Sequence, residues 1–114
     1  MKRGDVWWAE LRPRSGSEQR GRRPVIVVSH DAFNESPGWQ SVIVVPLSTS
    51  GAQGRRGPTA IPVPARGTGL ERDSIALCHQ VTTLDRSKLS QRVGALPVDV
   101  VAALDVGLSA ALSL

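Results

Sequence analysis

The sequence predicts a mainly β fold with some helix: five or six short strands in a small, strongly curved antiparallel sheet or SH3-like barrel, closed by a C-terminal helix. Three observations carry that expectation. Short runs of β-branched and aromatic residues recur between glycine, proline and polar turn segments over the first 83 positions. Helix-forming composition is weak before Pro97, which rules out an all-α fold. From Val98 onward, apolar residues return at helical spacing.

The elements follow in order. Val6-Trp7-Trp8-Ala9-Glu10-Leu11 lies between Gly4-Asp5 and Pro13 and reads as a strand. Arg12 to Arg22 reads as loop. Val25 to Val28 is a continuous apolar run, the pattern of a strand buried on both faces. Asp31 to Gly38 is polar and turn-rich, with room for one helical turn. Val42 to Val45 is a third strand, ended by Pro46. Ser48 to Pro58 carries Gly51, Gly54 and Gly57 and reads as a long loop with Arg55-Arg56 at its tip. Thr59 to Pro64 contains Pro62 and Pro64, which lack the ladder donor, so it can only be an edge strand. Ser74 to Thr83 is a further strand, and Asp85 to Leu89 a short helical turn. Pro97 suits the first turn of the closing helix, with Val101, Leu104, Leu108 and Ala111 or Leu112 as its core stripe.

A chain of 114 residues supports one domain, 1–114. Its net charge of +4 is uneven: residues 1–66 hold ten basic and five acidic side chains, residues 67–114 four and five. Twelve of the fourteen cations are arginine, the residue whose planar fork suits bidentate phosphate contacts and base stacking. Nucleic acid or an acidic protein segment is the partner this implies. Cys78 is alone, so no intrachain disulfide forms. The start, Met1-Lys2-Arg3-Gly4-Asp5, is no signal peptide, and acidic residues interrupt the most apolar stretch, which excludes a membrane span. A cytoplasmic location without membrane contact is the expectation.

Metal catalysis has no support in the residue set. Cys78 and His79 are neighbours on the expected strand and point to opposite faces, so they cannot grip one ion or act as a nucleophilic pair. No metal or other cofactor is expected. What remains is concentrated in Gly16-Ser-Glu-Gln-Arg-Gly-Arg-Arg-Pro-Val25 and just after the third strand. Pro24 forces Arg23 into an extended conformation, so its guanidinium is projected from a strand mouth. Glu18 and Gln19 sit on the preceding loop. Ser48 and Thr49 offer hydroxyls, and if the second and third strands are antiparallel neighbours they lie at the same end as Arg23. Arg14, Arg20, Arg22, Arg55 and Arg56 supply further phosphate-tracking charge.

These segments together resemble a known family. Arg3-Gly4-Asp5-Val6-Trp7, Gly16-Ser17-Glu18-Gln19, Gly21-x-Arg23-Pro24-Val25, Pro46-Leu47-Ser48-Thr49, Gly69-Leu70-Glu71-Arg72-Asp73-Ser74 and Gln80-Val81-x-Thr83 are similar to the MazF/PemK toxin endoribonucleases over nearly the whole chain. The resemblance implies a CcdB/PemK-like barrel and a homodimer. It implies a toxin of a type II toxin–antitoxin system that cleaves single-stranded RNA, chiefly mRNA, without metal and so inhibits translation and growth. An acidic segment of a cognate antitoxin would neutralise it in the same groove. The family's catalytic arginine falls on Arg23 and its loop glutamate on Glu18. Its hydroxyl, usually threonine, falls on Ser48, with Thr49 one step further, and Gln19 and Gln80 match positions near the RNA groove.

Metal-free cleavage of RNA uses the ribose 2′-hydroxyl as nucleophile and leaves 2′,3′-cyclic phosphate and 5′-hydroxyl ends. The site must take a proton, neutralise the pentavalent phosphate and protonate the leaving oxygen. Arg23 can donate to the equatorial oxygens, with Ser48 or Thr49 adding a third donor. An arginine is a poor base, its pKa lying above about 12, so Glu18 suits proton transfer better, unless it serves to orient Arg23. Two other functions compete. A non-enzymatic gyrase poison on the same fold relies on a terminal tryptophan, whereas this chain ends Ala-Ala-Leu-Ser-Leu. A plain RNA-binding module would use the arginines and Trp39 without cutting.

Overall fold

The computed structural model describes residues 1–11, 21–51 and 57–114. Among the described residues seven strands and two α-helices follow in order: β1 (Asp5–Glu10), β2 (Arg22–Val27), α1 (Asp31–Asn34), β3 (Ser41–Ser48), β4 (Ala60–Val63), β5 (Ser74–Leu77), β6 (Thr82–Asp85), β7 (Leu89–Ala95) and α2 (Val98–Leu112). All pairings are antiparallel, in the order β4-β5-β3-β2-β1-β7, with β6 also on β3. The sheet is strongly curved and barrel-like but not closed, and α2 covers one face.

The apolar run in β2 shows why the strands are so hydrophobic. Ile26 joins a core with Val6, Val45, Leu47, Val63 and, from α2, Val100 and Leu104. Its neighbours Val25 and Val27 point the other way, into a second cluster with Ala9, Leu11, Val42, Val44 and Leu89. Side chains alternate faces along a strand, so a strand buried on both sides reads as an unbroken apolar run.

Three expectations need correction. The third strand does not end at Pro46 but continues through it to Ser48. Pro46 pairs with Val25 of β2 on one edge. On the other edge it falls between the β6 ladder, which ends at Val44, and the β5 ladder, which begins at Leu47, so no partner there needs its missing N–H. The segment 74–83 is two strands, not one. Ala76 pairs with Leu47 and Thr82 with Val44, so Leu77–Val81 face only two residues of β3, and a 3-10 turn at Cys78–Gln80 absorbs the surplus. Cys78 and His79 therefore lie on a turn rather than on opposite faces of a strand. Finally, β7 escaped the sequence reading because only its first residue is fully buried and its pairing with β1 is broken by two register shifts.

Other elements match closely. β4 is the proline-bearing edge strand, and the short helical turns fall at Asp31–Asn34 and Arg86–Lys88. Pro97 precedes the first turn of α2 rather than occupying it, and the buried stripe is Val100, Leu104 and Gly107, with Val101, Leu108 and Ala111 half-buried beside it and Leu112 exposed. Gly107 lets α2 lie directly on the sheet: a Cβ there would meet Ile61 Cγ1 at 2.5 Å and Cys78 Sγ at 2.9 Å.

The Arg3-Gly4-Asp5 start is structural stitching. Arg3 donates through Nε to the Val28 carbonyl (2.9 Å), through its backbone N–H to Asp31 (2.6 Å) and through its guanidinium to Asp105 (2.8 Å), tying β1 to both helices. The Arg3 N–H, with help from the Asn34 amide, holds the Asp31 carboxyl below its ordinary pKa. The Asp5 carboxylate is buried and receives the Lys2 N–H (2.9 Å) and Arg92 (3.3 Å). No helix among the described residues is long and apolar enough to cross a membrane.

Candidate active site

Arg22 and Arg23 open β2, where the sequence places a strand mouth. Arg23 pairs with Ala9 of β1. On the other edge the β2–β3 register runs from Val27–Val44 to Val25–Pro46, and continuing it two residues sets Arg23 opposite Ser48. The expected antiparallel neighbourhood of Arg23 and the Ser48-Thr49 pair is present.

A pocket of about 340 Å³ opens at this end of the sheet. Trp8, Arg22, Arg23 and Pro24 form one wall, Thr49 enters from the end of β3, and the segment Gly69–Arg72 with Ser74 and Val93 forms the other. Thr49 is exposed to the pocket. Ser48 is only 7% exposed, and its Oγ accepts the Ser50 N–H at 3.1 Å, bracing the turn that carries Thr49.

The far wall is held by backbone contact. Gly69 has φ +84°, a left-handed conformation that glycine adopts without strain. Gly69 of this loop and Gly94 of β7 approach so closely that a Cβ on Gly69 would stand 2.3 Å from the Val93 carbonyl oxygen, and one on Gly94 2.1 Å from that of Thr68. The Thr68 hydroxyl closes the same loop, donating to the Ala65 carbonyl (2.7 Å) and accepting the Leu70 N–H (3.2 Å). The Asp73 carboxylate accepts the Ala65 N–H at 2.8 Å. Glu71 and Arg72 thus reach the pocket from a rigid loop.

Among the described residues, charge in the pocket comes from Arg22, Arg23 and Arg72 against one carboxylate, Glu71. The Arg22 guanidinium lies over the Trp8 indole, 4.4 Å from its centroid. Such a lining suits a phosphate with an attached planar group. Among the described residues no three His, Cys, Asp or Glu side chains gather as a metal site. Cys78 is fully buried, and burial pushes its thiol up to about 11, so it is a core hydrophobe rather than a nucleophile. His30 Nδ1 accepts the Ala32 N–H at 2.9 Å and caps α1.

Of the residues singled out in the sequence, Arg22, Arg23 and Thr49 come together in the pocket, whereas Ser48, buried one residue before Thr49, is not among the lining residues. Gln80 is not among the pocket-lining residues; it belongs to the turn linking β5 and β6. Glu18, Gln19, Arg14, Arg20, Arg55 and Arg56 lie outside the described residues. Sequence reasoning missed the pocket roles of Trp8, Glu71 and Val93. Trp8 stands opposite Pro24 in the β1–β2 register, a placement that strand periodicity without partners cannot give. Trp39 stacks on Phe33, centroids 4.6 Å apart, and lies outside the pocket.

The chain is similar to known proteins along nearly its whole length. The family description "PemK-like, MazF-like toxin of type II toxin-antitoxin system" matches residues 2–112. Endoribonuclease EndoA of Bacillus subtilis is 35% identical over 114 residues, covering 100% of this chain and 96% of that protein. Endoribonuclease MazF of Staphylococcus epidermidis is 33% identical over 112 residues, covering 95% and 91%. The crystal structure of MazF (form I) from Deinococcus radiodurans superposes with a TM-score of 0.81 at 27% identity, covering 100% and 97% of the two chains. A MazE–MazF crystal structure (form II) from the same organism gives 0.74 at 27% identity, covering 100% and 96%.

Proposed function

The chain belongs to the PemK-like, MazF-like toxins of type II toxin–antitoxin systems, and from that premise we propose that it is a metal-independent endoribonuclease that cleaves single-stranded RNA in the pocket at the mouth of β2. The relatives named endoribonucleases match it along essentially their whole length. The observation that carries the reading is the meeting of Arg23 and Thr49 in one arginine-rich pocket of single-ligand size.

The reaction divides among these groups as follows. The scissile phosphate sits against Arg23, whose fork donates to two non-bridging oxygens as negative charge accumulates on them in the pentavalent transition state. A hydroxyl donor, Thr49 in the pocket or the preceding Ser48, supplies a further hydrogen bond. The attacking ribose 2′-oxygen gives its proton to a base, and the 5′-oxygen leaves as its bond to phosphorus breaks, taking up a proton. The products are a 2′,3′-cyclic phosphate and a 5′-hydroxyl. Arg23 stays protonated and acts electrostatically; Glu18, the residue aligned with the family's loop glutamate, is our candidate base. Gln19, Gln80 and Arg14, Arg20, Arg22, Arg55 and Arg56 hold the strand on either side.

We read 1–114 as one domain that works as a homodimer in the cytoplasm, cutting mRNA and so arresting translation. An acidic antitoxin segment would occupy the same basic groove, a reading supported by the MazE–MazF assemblies of the Deinococcus relative. The experiment is direct: incubate the purified protein with a long single-stranded RNA in EDTA and map the fragment ends. Cleavage with cyclic phosphate ends is expected; inactivity in EDTA restored by Mg²⁺ would overturn the mechanism.

A further inference from the structure

The Trp8–Arg22 pair forms a surface that the chemistry at phosphorus does not use. Trp8 stands opposite Pro24, and Arg22 is its diagonal neighbour on the same face of the β1–β2 ladder. The guanidinium carbon lies over the indole, 4.4 Å from its centroid. Trp8 is half-buried and so held in place, whereas Arg22 is exposed, and both line the pocket that contains Arg23. The contact that the Arg22 side chain makes among the described residues is with this indole, which orients it.

We propose that the Trp8–Arg22 stack is a nucleobase subsite, on which a base flanking the scissile phosphate lies and through which the enzyme selects where along a strand it cuts. This rests on the endoribonuclease reading above and adds to it. Unpaired bases stack on aromatic rings and on guanidinium planes alike. A strand with its phosphate on Arg23 brings a neighbouring base to the adjacent residue of β2. Glu71 across the same pocket offers an acceptor for a donor on that base's edge, whereas Arg72 offers donors to its carbonyl groups. Stacking supplies affinity and position; it takes no part in bond making.

The test is a substrate–protein double cycle. A short RNA with one mapped cleavage site is prepared intact and with an abasic nucleotide on each side of the scissile phosphate in turn. Each is assayed with the parent, Trp8→Ala, Trp8→Phe and Arg22→Lys, with binding measured in parallel on strands blocked by a 2′-deoxy nucleotide at the cut. In the parent, one abasic position should weaken binding about tenfold to a hundredfold, the range for loss of one stacked base. In Trp8→Ala and Arg22→Lys the intact and abasic strands should bind alike, because the stack is already gone; Arg22→Lys keeps the charge and loses only the plane. Trp8→Phe should restore most of the discrimination. An abasic penalty in Trp8→Ala and Arg22→Lys as large as in the parent, or no penalty in the parent, overturns the subsite while leaving cleavage intact. A parent that neither cleaves nor binds the intact strand overturns the endoribonuclease reading and the subsite with it.

Discussion

Replacing Gly94 by alanine should show that the far wall of the pocket is set by backbone contact. The added methyl would stand 2.1 Å from the Thr68 carbonyl oxygen and 2.8 Å from its carbon. Neither atom belongs to a side chain that can rotate away, so β7 and the 65–74 loop must separate. Forced overpacking typically costs about 1–3 kcal/mol. Gly94 does not have a positive φ, so alanine also gains about 0.4–1 kcal/mol by restricting the unfolded chain. The steric term wins: net destabilisation should be about 1–2 kcal/mol, several degrees in Tm for a chain of this size. The same movement shifts Glu71 and Arg72, so kcat/KM on RNA should fall although residue 94 touches no substrate. Gly38→Ala is the control, since its Cβ would meet nothing within 4 Å. Urea melts of the three proteins with parallel cleavage assays read both effects. If Gly94→Ala melted and cut like Gly38→Ala, the account of the wall would be wrong.

Three further outcomes follow from other parts of the molecule. Thr49→Ala and Ser48→Ala should separate: the hydroxyl that donates to the phosphate loses about 10²–10³-fold in single-turnover rate, whereas loss of the bond from Ser50 to Ser48 alone costs about 0.5–1.5 kcal/mol of stability. Equal, near-parent rates for both would remove the hydroxyl donor from the mechanism. Gly107→Ala should destabilise despite its gain of about 1 kcal/mol in helix propensity, because the methyl collides with Ile61 and Cys78, and adding Ile61→Val should recover part of the loss in a thermal melt. Because burial raises the Cys78 thiol from 9.0 to about 11, the unfolded chain ionises first on raising pH. The stability this group contributes is thus intact below about 9 and is lost as pH climbs to about 11; a Cys78→Ala variant, otherwise weakened by its lost packing, should show a shallower decline over that window in urea melts.

The central strands were legible because burial on two faces leaves an unbroken apolar signature, as in Val25–Val27, and β4 because its proline confines it to an edge. Where partners change, the sequence was silent. Nothing local distinguishes a continuous strand from β5, turn and β6, since the break is imposed by the register of β3. β7 carries Ser90, Gln91 and Arg92 exposed in succession, so it lacks a core-facing alternation to read. Arg23 was visible because Pro24 dictates its backbone, and Thr49 because it follows an apolar run. Trp8 and Glu71 join them only through tertiary contact: one by cross-strand register, the other through the Gly69–Gly94 approach.

The measurement that bears most directly on the account is the single-turnover rate of Arg23→Ala at saturating RNA, set beside its RNA affinity. Removing a charge-assisted donor from the transition state should lower the rate about 10²–10³-fold. Affinity should fall far less, since the remaining arginines still track the backbone at about one unit of salt slope each. A variant that cut as fast as the parent at saturation would show that Arg23 does not serve the reacting phosphate, and the arginine-rich pocket would then be a site for holding RNA rather than for cleaving it.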